Sequence, residues 1–497
     1  MQAQRSRHGL TQILDWVGRE SGIDRDLQDC FEKGDADKIR SIARYWLATD
    51  GQTLPRLKSW QLLHHLPYRW PISEDVYHDL FNSIGLNESA IQSYFSARAK
   101  RLSRGSVIAY DSITISTYST NQIEARQGFN KEADGLDTIK LLTLYSVKDR
   151  EPIAFSRQPG NLVDVVAIDN ALKQLSCFDI SKPLIVTDNG YYSEANMLAF
   201  VKRNKKFMTQ CKTSVKWVQE CIDKVRPELE SMNAVCPFDP VITGTTVSVM
   251  HKFDNMRQRS RGEYKAGETN SLERRLYVHV FRNLNIENKK ELEMRKRLFE
   301  LQKQLYDGQT EFKPAAQELI DKYLVQSRQG RGGALKIRFN DEAINQEKRY
   351  YGEFVLVSNE KMDCFEALEN YRLREKIEEL FAVEKQSMDG RRPRCWYSEN
   401  LWGRQFVQFV GLGYCCFLMK KIKQVRDSLA TDETLTKQEM EAEKKLKNWI
   451  DSNSLIQILE WFECVELVKY ADEDNAQRMT EMTLRDQLFL KKLGVVM

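Results

Sequence analysis

The spacing of apolar positions changes in kind along the chain and predicts where helices give way to strands. In residues 9–18, 35–49 and 73–84, apolar side chains recur every three or four positions, as in amphipathic helices. Polar or proline-containing links separate these segments. We therefore predict a helical N-terminal region over residues 1–105.

From residue 106 to 211 the pattern becomes one of strands alternating with helices. Three strand-like runs come first, followed by a helix, a buried strand, a second helix and a last strand: 106–116, 138–147, 151–161, 164–175, 182–190, 193–204 and 206–212. We expect the first three to form an antiparallel meander. The order matches a ribonuclease-H-like mixed sheet, in which the first and fourth strands are neighbours.

Residues 212–350 interrupt this pattern with a β-rich insertion. Its strand-like pieces are 245–253, 274–284, 334–340 and 350–359. A charged helical hairpin is predicted over roughly 288–306 and 315–327. Four leucines on one side of its first helix are expected to form a packing seam: Leu292, Leu298, Leu301 and Leu305.

The remainder of the chain is predicted to be largely helical. Residues 351–425 form the second part of the core, and residues 426–497 form a C-terminal region. The apolar run 406–419 predicts a buried helix and is too short to span a membrane. The segment 457–470 is either a dimer contact or a plain packing helix. The fold class is thus α/β, a ribonuclease-H-like core with a β-rich insertion and helical ends.

Charge is informative locally rather than globally. The 497 residues carry a net charge of only +4, and their number predicts two to four domains. Residues 251–297 hold 13 Lys/Arg against 7 Asp/Glu, and residues 431–497 hold 9 against 14. A basic middle and an acidic tail suit a nucleic-acid surface followed by a helical end. The N-terminal region ends in the basic stretch 98–104; it is either a small DNA-binding unit or a helical scaffold.

The ten cysteines form no CxxC pair and no metal-finger spacing. We expect them to be reduced, as in a cytosolic protein. From the polar N-terminus we expect no signal peptide.

One helix-like stretch, 365–385, concentrates chemistry on a single face. At 100° per residue, a sector about 60° wide holds a phenol, two cations and a carboxylate: Tyr371, Arg374, Glu378 and Lys385. A separate face, about 100° round the helix, is predicted to pack on the core: Leu373, Ile377, Leu380 and Phe381.

Two upstream aspartates lie in or just after strand-like runs, Asp111 and Asp188. With Glu378 they would supply three carboxylates to two Mg²⁺ ions, which favour oxygen ligands and phosphate substrates. Each residue alone has an ordinary alternative. An aspartate can be an edge or turn residue, and Arg374 with Glu378 can be a surface pair worth about 0.3–0.5 kcal/mol. The combination favours phosphodiester cleavage and strand transfer.

At these residues the chain resembles the DDE transposases of bacterial insertion sequences, in the branch with the Y-x2-R-x3-E-x6-K signature. Three further blocks are similar to that family: 109–117, 128–161 and 186–197. The resemblance covers roughly 105–425. The 190 residues between Asp188 and Glu378 (378 − 188) match a branch in which a β-rich insertion domain separates the two carboxylates.

The resemblance implies the site and its reaction. It implies Asp111, Asp188 and Glu378 as the catalytic, metal-binding triad, with two Mg²⁺ ions that Mn²⁺ can replace. It implies that Tyr371, Arg374 and Lys385 contact DNA near the transposon end. Members of this branch cut out an element and join its 3′-OH ends to target DNA, in some cases through a hairpin in which a flipped base stacks on an aromatic ring.

Further DNA contacts are weaker predictions. Trp217 is a candidate for base stacking and equally a candidate core residue. A basic segment near the helix could line the DNA path or be a surface loop: Arg391, Arg392 and Arg394.

The resemblance also implies the partners and the compartment. The partners would be double-stranded DNA with terminal inverted repeats, target DNA, and a second copy of the chain in a homodimer on paired ends. We expect no membrane association and a cytoplasmic, nucleoid-associated bacterial protein. The main rival is a catalytically inactive or domesticated DNA-binding protein of the same fold. A resolvase or nuclease of this fold and a helical scaffold protein fit less well.

Overall fold

The structure is a computed structural model. It describes residues 3–103, 105–128, 134–162, 168, 172–173, 178, 180, 183–256, 269–328, 335–374, 377, 383, 388, 395–429, 436–470 and 477–496. The chain divides into two compact units: unit 1 is 1–186 with 372–497, and unit 2 is 187–371. The five-region organisation drawn from the sequence stays a prediction.

Unit 1 begins with a short strand and a set of helices. The elements are β1 Ala3–Arg7, α1 His8–Glu20, α2 Ile23–Cys30, α3 Lys33–Ala48, α4 Leu57–Trp60, α5 Glu74–Leu86 and α6 Glu88–Lys100. Helix α3 shows why the periodicity worked, since Ile39, Ile42 and Trp46 are fully buried on one face. The three helices predicted from periodicity are confirmed by α1, α3 and α5.

The first strands of the predicted core lie in unit 1. They are β2 Val107–Thr117, β3 Asp137–Ser146, β4 Glu151–Pro159 and β5 Leu184–Thr187, in the spatial order β4-β3-β2-β5. Strand β2 pairs antiparallel with β3, and β3 with β4, so the predicted meander is confirmed. Strand β5 lies beside β2, as expected. The predicted helix 164–175 falls largely outside the described residues.

The C-terminal elements of unit 1 complete its core. They are α13 Ser398–Ser428, α14 Lys437–Ser452, α15 Leu455–Glu463, β13 Glu466–Tyr470, β14 Gln477–Met479 and α16 Leu484–Leu493. Helix α13 contains the predicted buried helix and packs on α3, α5 and β4. A Cβ at Gly403 would lie 1.9 Å from the Phe81 carbonyl oxygen, so only glycine permits this approach of α13 to α5.

The two ends of the chain meet in a small sheet that the periodicity did not predict. Strand β1 pairs antiparallel with β13, which pairs with β14. The segment 457–470 is therefore a helix followed by a strand rather than one packing helix. The helix α15 ends at Glu463. Two residues later the chain pairs with the N-terminus, since the Val465 carbonyl accepts backbone hydrogen bonds from His8 and Gly9.

Unit 2 is built on five antiparallel strands in the order β6-β12-β9-β8-β7. Its elements are β6 Lys206–Cys211, β7 Val235–Cys236, β8 Asp239–Met256, β9 Thr269–Asn283, β10 Leu324–Arg328, β11 Leu335–Phe339, β12 Glu353–Ser358, α7 Glu194–Lys202, α8 Lys216–Leu229, α9 Leu284–Tyr306, α10 Pro314–Tyr323 and α11 Asp341–Lys348. The strands predicted at 245–253, 274–284, 334–340 and 350–359 are all present. The fully buried Val278, Val280 and Val355 form the centre of the sheet.

The helical hairpin of unit 2 differs from its prediction at two points. Its second helix, α10, ends at Tyr323, because residues 324–328 pair with β11 as a β-hairpin. Leu298, Leu301 and Leu305 are buried, as expected of a seam, whereas Leu292 is 53% exposed. The apolar seam therefore covers only the C-terminal half of α9.

Two expectations of composition can also be compared with the structure. All nine cysteines that lie among the described residues are free. In the described parts of the chain, no helix combines the length and the apolarity needed to cross a membrane.

Candidate functional site

Asp111 is a polar interruption in the buried strand β2. Its strand neighbours Ala109, Tyr110 and Ile113 are buried, and Thr143 of β3 lies opposite it in the register. The Asp111 side chain is 17% exposed. A carboxylate held in mid-strand is rigidly placed and still accessible, which is what a ligand-binding position requires.

Helix α12, Cys364–Arg374, supplies the contact to Asp111. The Arg374 Nη1 donates to Asp111 Oδ2 at 3.0 Å, and only 6% of the Arg374 side chain is exposed. A charge-assisted hydrogen bond of this kind fixes both side chains. In unit 1, Asp111 and Arg374 are thus brought together.

Asp188 follows β5 directly and is the N-terminal residue of a short 3-10 turn, 189–191. In unit 2 the Tyr371 hydroxyl lies 2.9 Å from Asp188 Oδ1 and 2.7 Å from the Gln210 Oε1 of β6. Tyr371, also on α12, is buried. The hydroxyl connects the aspartate to a neighbouring strand.

Gln210 is a site residue that the sequence analysis missed. An amide in the short strand KFMTQC of β6 is a weak signal, since half-exposed strands commonly carry polar residues. Only its contact with Tyr371 distinguishes it.

The faces of α12 are arranged differently from the prediction. Leu373, placed on the core-facing side, is 37% exposed, whereas Tyr371 and Arg374 are 9% and 5% exposed. Ile377 is fully buried, as expected, and Leu380 and Phe381 lie outside the described residues. The polar face is turned inward because its groups find acidic and amide partners there.

The donor chemistry at these two contacts suits a hard divalent cation. Asp111, Asp188 and Gln210 present carboxylate and amide oxygens, the ligands that Mg²⁺ prefers. Among the described residues there is no group of three or more His, Cys, Asp or Glu side chains able to hold a metal ion. Glu378, the third predicted ligand, lies outside those residues.

Several other predicted site residues also lie outside the described part of the chain: Lys385, Arg391, Arg392 and Arg394. Their predicted DNA contacts stay predictions, as do those of Tyr371 and Arg374.

Trp217 lies in unit 2 on α8 and is half-buried. Its indole N–H donates to Glu194 Oε1 at 3.2 Å, and its ring lies 4.7 Å from that of His251. His251 in turn contacts Glu194 Oε2 at 2.8 Å. The ring is held in place by polar contacts, so it is neither a fully buried core residue nor a loose surface one.

Comparison with known protein families shows to which family the chain belongs. The family described as "Transposase DDE domain" matches residues 102–402, more than half of the chain. The chain belongs to this DDE transposase family. The matched region contains Asp111, Asp188 and Glu378. Members of the family act on DNA as DNA-cleaving enzymes and generally use divalent metals.

Two other comparisons add little. A solved structure, the cryo-EM structure of the piggyBac transposase synaptic complex with hairpin DNA, is similar with a TM-score of 0.39 and 9% identity. The likeness covers 92% of this chain and 78% of that one, and at this TM-score it carries no argument. No curated protein sequence matches the chain.

Proposed function

We propose that this DDE transposase is a cut-and-paste enzyme of a bacterial insertion sequence, in the branch with the Y-x2-R-x3-E-x6-K signature. It would cleave the ends of its own element and join the 3′-OH ends to target DNA. The observation that carries the proposal is the family match over 102–402, which spans all three candidate carboxylates. The catalytic core would be ribonuclease-H-like, interrupted by the β-rich insertion.

In this proposal Asp111, Asp188 and Glu378 hold two Mg²⁺ ions, for which Mn²⁺ can substitute. When bound, such ions activate the attacking oxygen and stabilise the leaving one. Support comes from the oxygen donors of Asp111 and Asp188 and from their placement in and directly after core strands.

Tyr371 and Arg374 have a positioning role in this proposal, besides the DNA contacts expected from the resemblance. The contacts of Arg374 with Asp111 and of Tyr371 with Asp188 would keep each carboxylate in a single orientation. Preorganised ligands reduce the reorganisation needed when substrate binds. Lys385 would bind a phosphate beside the cleaved bond.

The partners are proposed on the same basis. They are double-stranded DNA with terminal inverted repeats, target DNA, and a second copy of the chain acting as a homodimer on paired ends. Trp217 would stack on a base, and the N-terminal helices would contact DNA. The protein would work in the bacterial cytoplasm, at the nucleoid.

The test uses the purified full chain and a plasmid that carries the reading frame with its flanking inverted repeats. We expect breaks at the repeats with Mg²⁺, none with EDTA, and joining of the ends to a target plasmid. Glu378→Gln is the matched variant and should bind the same DNA without cutting it. DNA binding by the wild type with no cleavage in Mg²⁺ or Mn²⁺ would instead identify an inactive DNA-binding protein.

A further inference from the structure

A polar cavity of about 750 Å³ lies in unit 1, and neither Asp111 nor Asp188 lines it. Strand β1, the loop 61–69 and strand β13 line it, and α1 contributes Asp15. Its size falls within the range of ligand sites in proteins, about 300–1,000 Å³. The function proposed above uses none of these residues individually.

The lining of this cavity is positively charged. Its permanent cations are Arg5, Arg69 and Lys469, and its one carboxylate is Asp15. Asp15 is already paired with Arg44, an almost fully buried arginine outside the cavity lining. The three cations are exposed, and none of them forms an ion pair with another described residue. Among the described residues that line the cavity, the three cations therefore face no carboxylate that is not already paired.

Polar contacts within the loop and from its ends brace the segment that carries Arg69. The Gln61 side chain donates to the Trp70 carbonyl at 3.3 Å and accepts from the Ile72 N–H at 2.9 Å. His64 is buried, with its Nε2 3.0 Å from Glu463 Oε1 and its ring stacked on Trp60. A charged wall fixed in this way resembles a prepared binding surface more than a mobile loop.

A neighbouring histidine responds to the same positive field. Burial lowers the pKa of His8, and the charges of His65 and Lys469 lower it further, against an opposing effect of Asp15. His65 itself lines the cavity and is exposed. The lowered pKa of His8 is thus consistent with a net positive charge in the cavity lining.

We propose that this cavity binds the phosphate backbone of duplex DNA through Arg5, Arg69 and Lys469. The proposal rests on the proposed function, because it is the family's action on DNA that selects a DNA backbone among anions. Cations from three separate segments of the chain suit successive phosphates rather than one point charge. These cations would contact one stretch of the duplex backbone, which carries no sequence information.

The first test is the salt dependence of DNA binding by the full chain. Each phosphate contact contributes about 0.9 to the slope of log K against log salt, so Arg69→Ala/Lys469→Ala should lower the slope by about 2. The matched control Arg25→Ala/Lys444→Ala also removes one arginine and one lysine from unit 1, both outside the cavity lining. An equal change of slope in both double variants would overturn the proposal.

A second test uses only the wild-type chain, so its result does not depend on whether a variant folds. Acetylation of Lys469 by an amine-reactive reagent should slow several-fold when the wild-type chain is saturated with a mixed-sequence duplex. Lys444 should react at an unchanged rate. Protection of Lys469 by inorganic phosphate but not by the duplex would mean a small-anion site and contradict the proposal.

The two proposals fail in distinguishable ways. If the wild-type chain cuts the ends of its element but Lys469 stays unprotected, the proposed transposase function stands and the proposed DNA contact at the cavity is wrong. If DNA protects Lys469 but no cleavage occurs, the DNA contact at the cavity stands and the proposed cleavage activity is wrong.

Discussion

Arginine is buried against aspartate in two regions of unit 1, the N-terminal helices and the pair formed by β2 and α12. In the first, Asp26 is 5% exposed and accepts from Arg98 at 2.9 Å and from Arg101 at 2.8 and 2.6 Å. In the second, Asp111 accepts from Arg374 at 3.0 Å and is 17% exposed.

The difference lies in what each contact joins. Asp26 and Arg98 connect α2 to α6, and Arg98 also binds Glu151 at the start of β4, so the network ties helices to the sheet. Asp111 stays more accessible on a core strand and meets a helix whose sequence continues toward Glu378. The same chemical pair therefore indicates a structural role in one place and a functional one in the other.

The largest expected effect separates these roles. Asp111→Asn keeps the shape of the side chain and removes its charge, so cleavage of end DNA should fall by at least about 10³-fold, several kcal/mol of transition-state stabilisation. DNA affinity should change little. The thermal midpoint should fall by less than in Asp26→Asn, because the Asp111 carboxylate is the more exposed of the two. Cleavage at the wild-type rate would remove Asp111 from the proposed triad and end the comparison.

Asp26→Asn should have the opposite profile. Removing the charge of Asp26 breaks its buried pairs with Arg98 and Arg101 and leaves Glu151 as the carboxylate partner of Arg98. We expect a cost of about 3–5 kcal/mol, visible as a lower midpoint of urea unfolding. Cleavage per folded molecule should persist at low temperature. Asp29→Asn is the control, because the Arg25–Asp29 pair is 81% and 68% exposed and worth less than about 1 kcal/mol. Equal losses in the two variants would argue against a structural role for the network.

His279 shows a third way to bury an ionisable group, as a neutral one. Burial lowers its pKa from the ordinary 6.5 to about 4, with Asp363 opposing. The unfolded chain therefore binds this proton at a higher pH than the folded chain does. The free energy of unfolding is unaffected by this group above pH 6.5. It decreases as the pH falls toward 4, by up to about 3 kcal/mol.

The measurement is the urea midpoint of unit 2 unfolding, taken between pH 4 and 7. His279→Gln should flatten this part of the profile, whereas replacement of the half-buried His78 of unit 1 should leave it unchanged. A variant profile as steep as that of the wild type would assign the acid sensitivity to other groups.

Much of the fold could be predicted because local periodicity and packing agree. Helices α1, α3 and α5 and the meander β2–β4 follow from apolar spacing alone. The β1–β13 pairing could not be predicted, since it joins residues more than 450 positions apart and β1 has the polar sequence AQRSR. Local patterns carry no information about such long-range partners.

The site was predictable in its residue types more than in its contacts. The spacing from Tyr371 to Arg374 placed both on one helix face, but amphipathicity assigned the buried side to Leu373. Polar groups are buried when partners are available, and Gln210 and the two aspartates are far away in sequence. This is why the inward orientation of Tyr371 and Arg374 required the structure.

Tyr371→Phe is expected to have the smallest effect of these substitutions. It tests whether a single hydroxyl at the candidate site has a functional role rather than a structural one. It removes only the hydroxyl that bonds Asp188 and Gln210, which should cost about 1–2 kcal/mol and slow cleavage about 10-fold. If the hydroxyl positions Asp188, the loss should appear in the cleavage rate at saturating DNA rather than in DNA affinity.

The matched control is Tyr45→Phe in the N-terminal helices, where the hydroxyl donates to the Thr53 carbonyl at 2.9 Å. Both variants lose a hydroxyl with a defined partner and should be destabilised to a similar extent, but only Tyr371→Phe should slow cleavage per folded molecule. A slower rate in both would mean that the rate reports stability alone. A loss of DNA affinity confined to Tyr371→Phe would instead favour the direct DNA contact expected from the resemblance, because a purely positioning hydroxyl leaves ground-state binding unchanged.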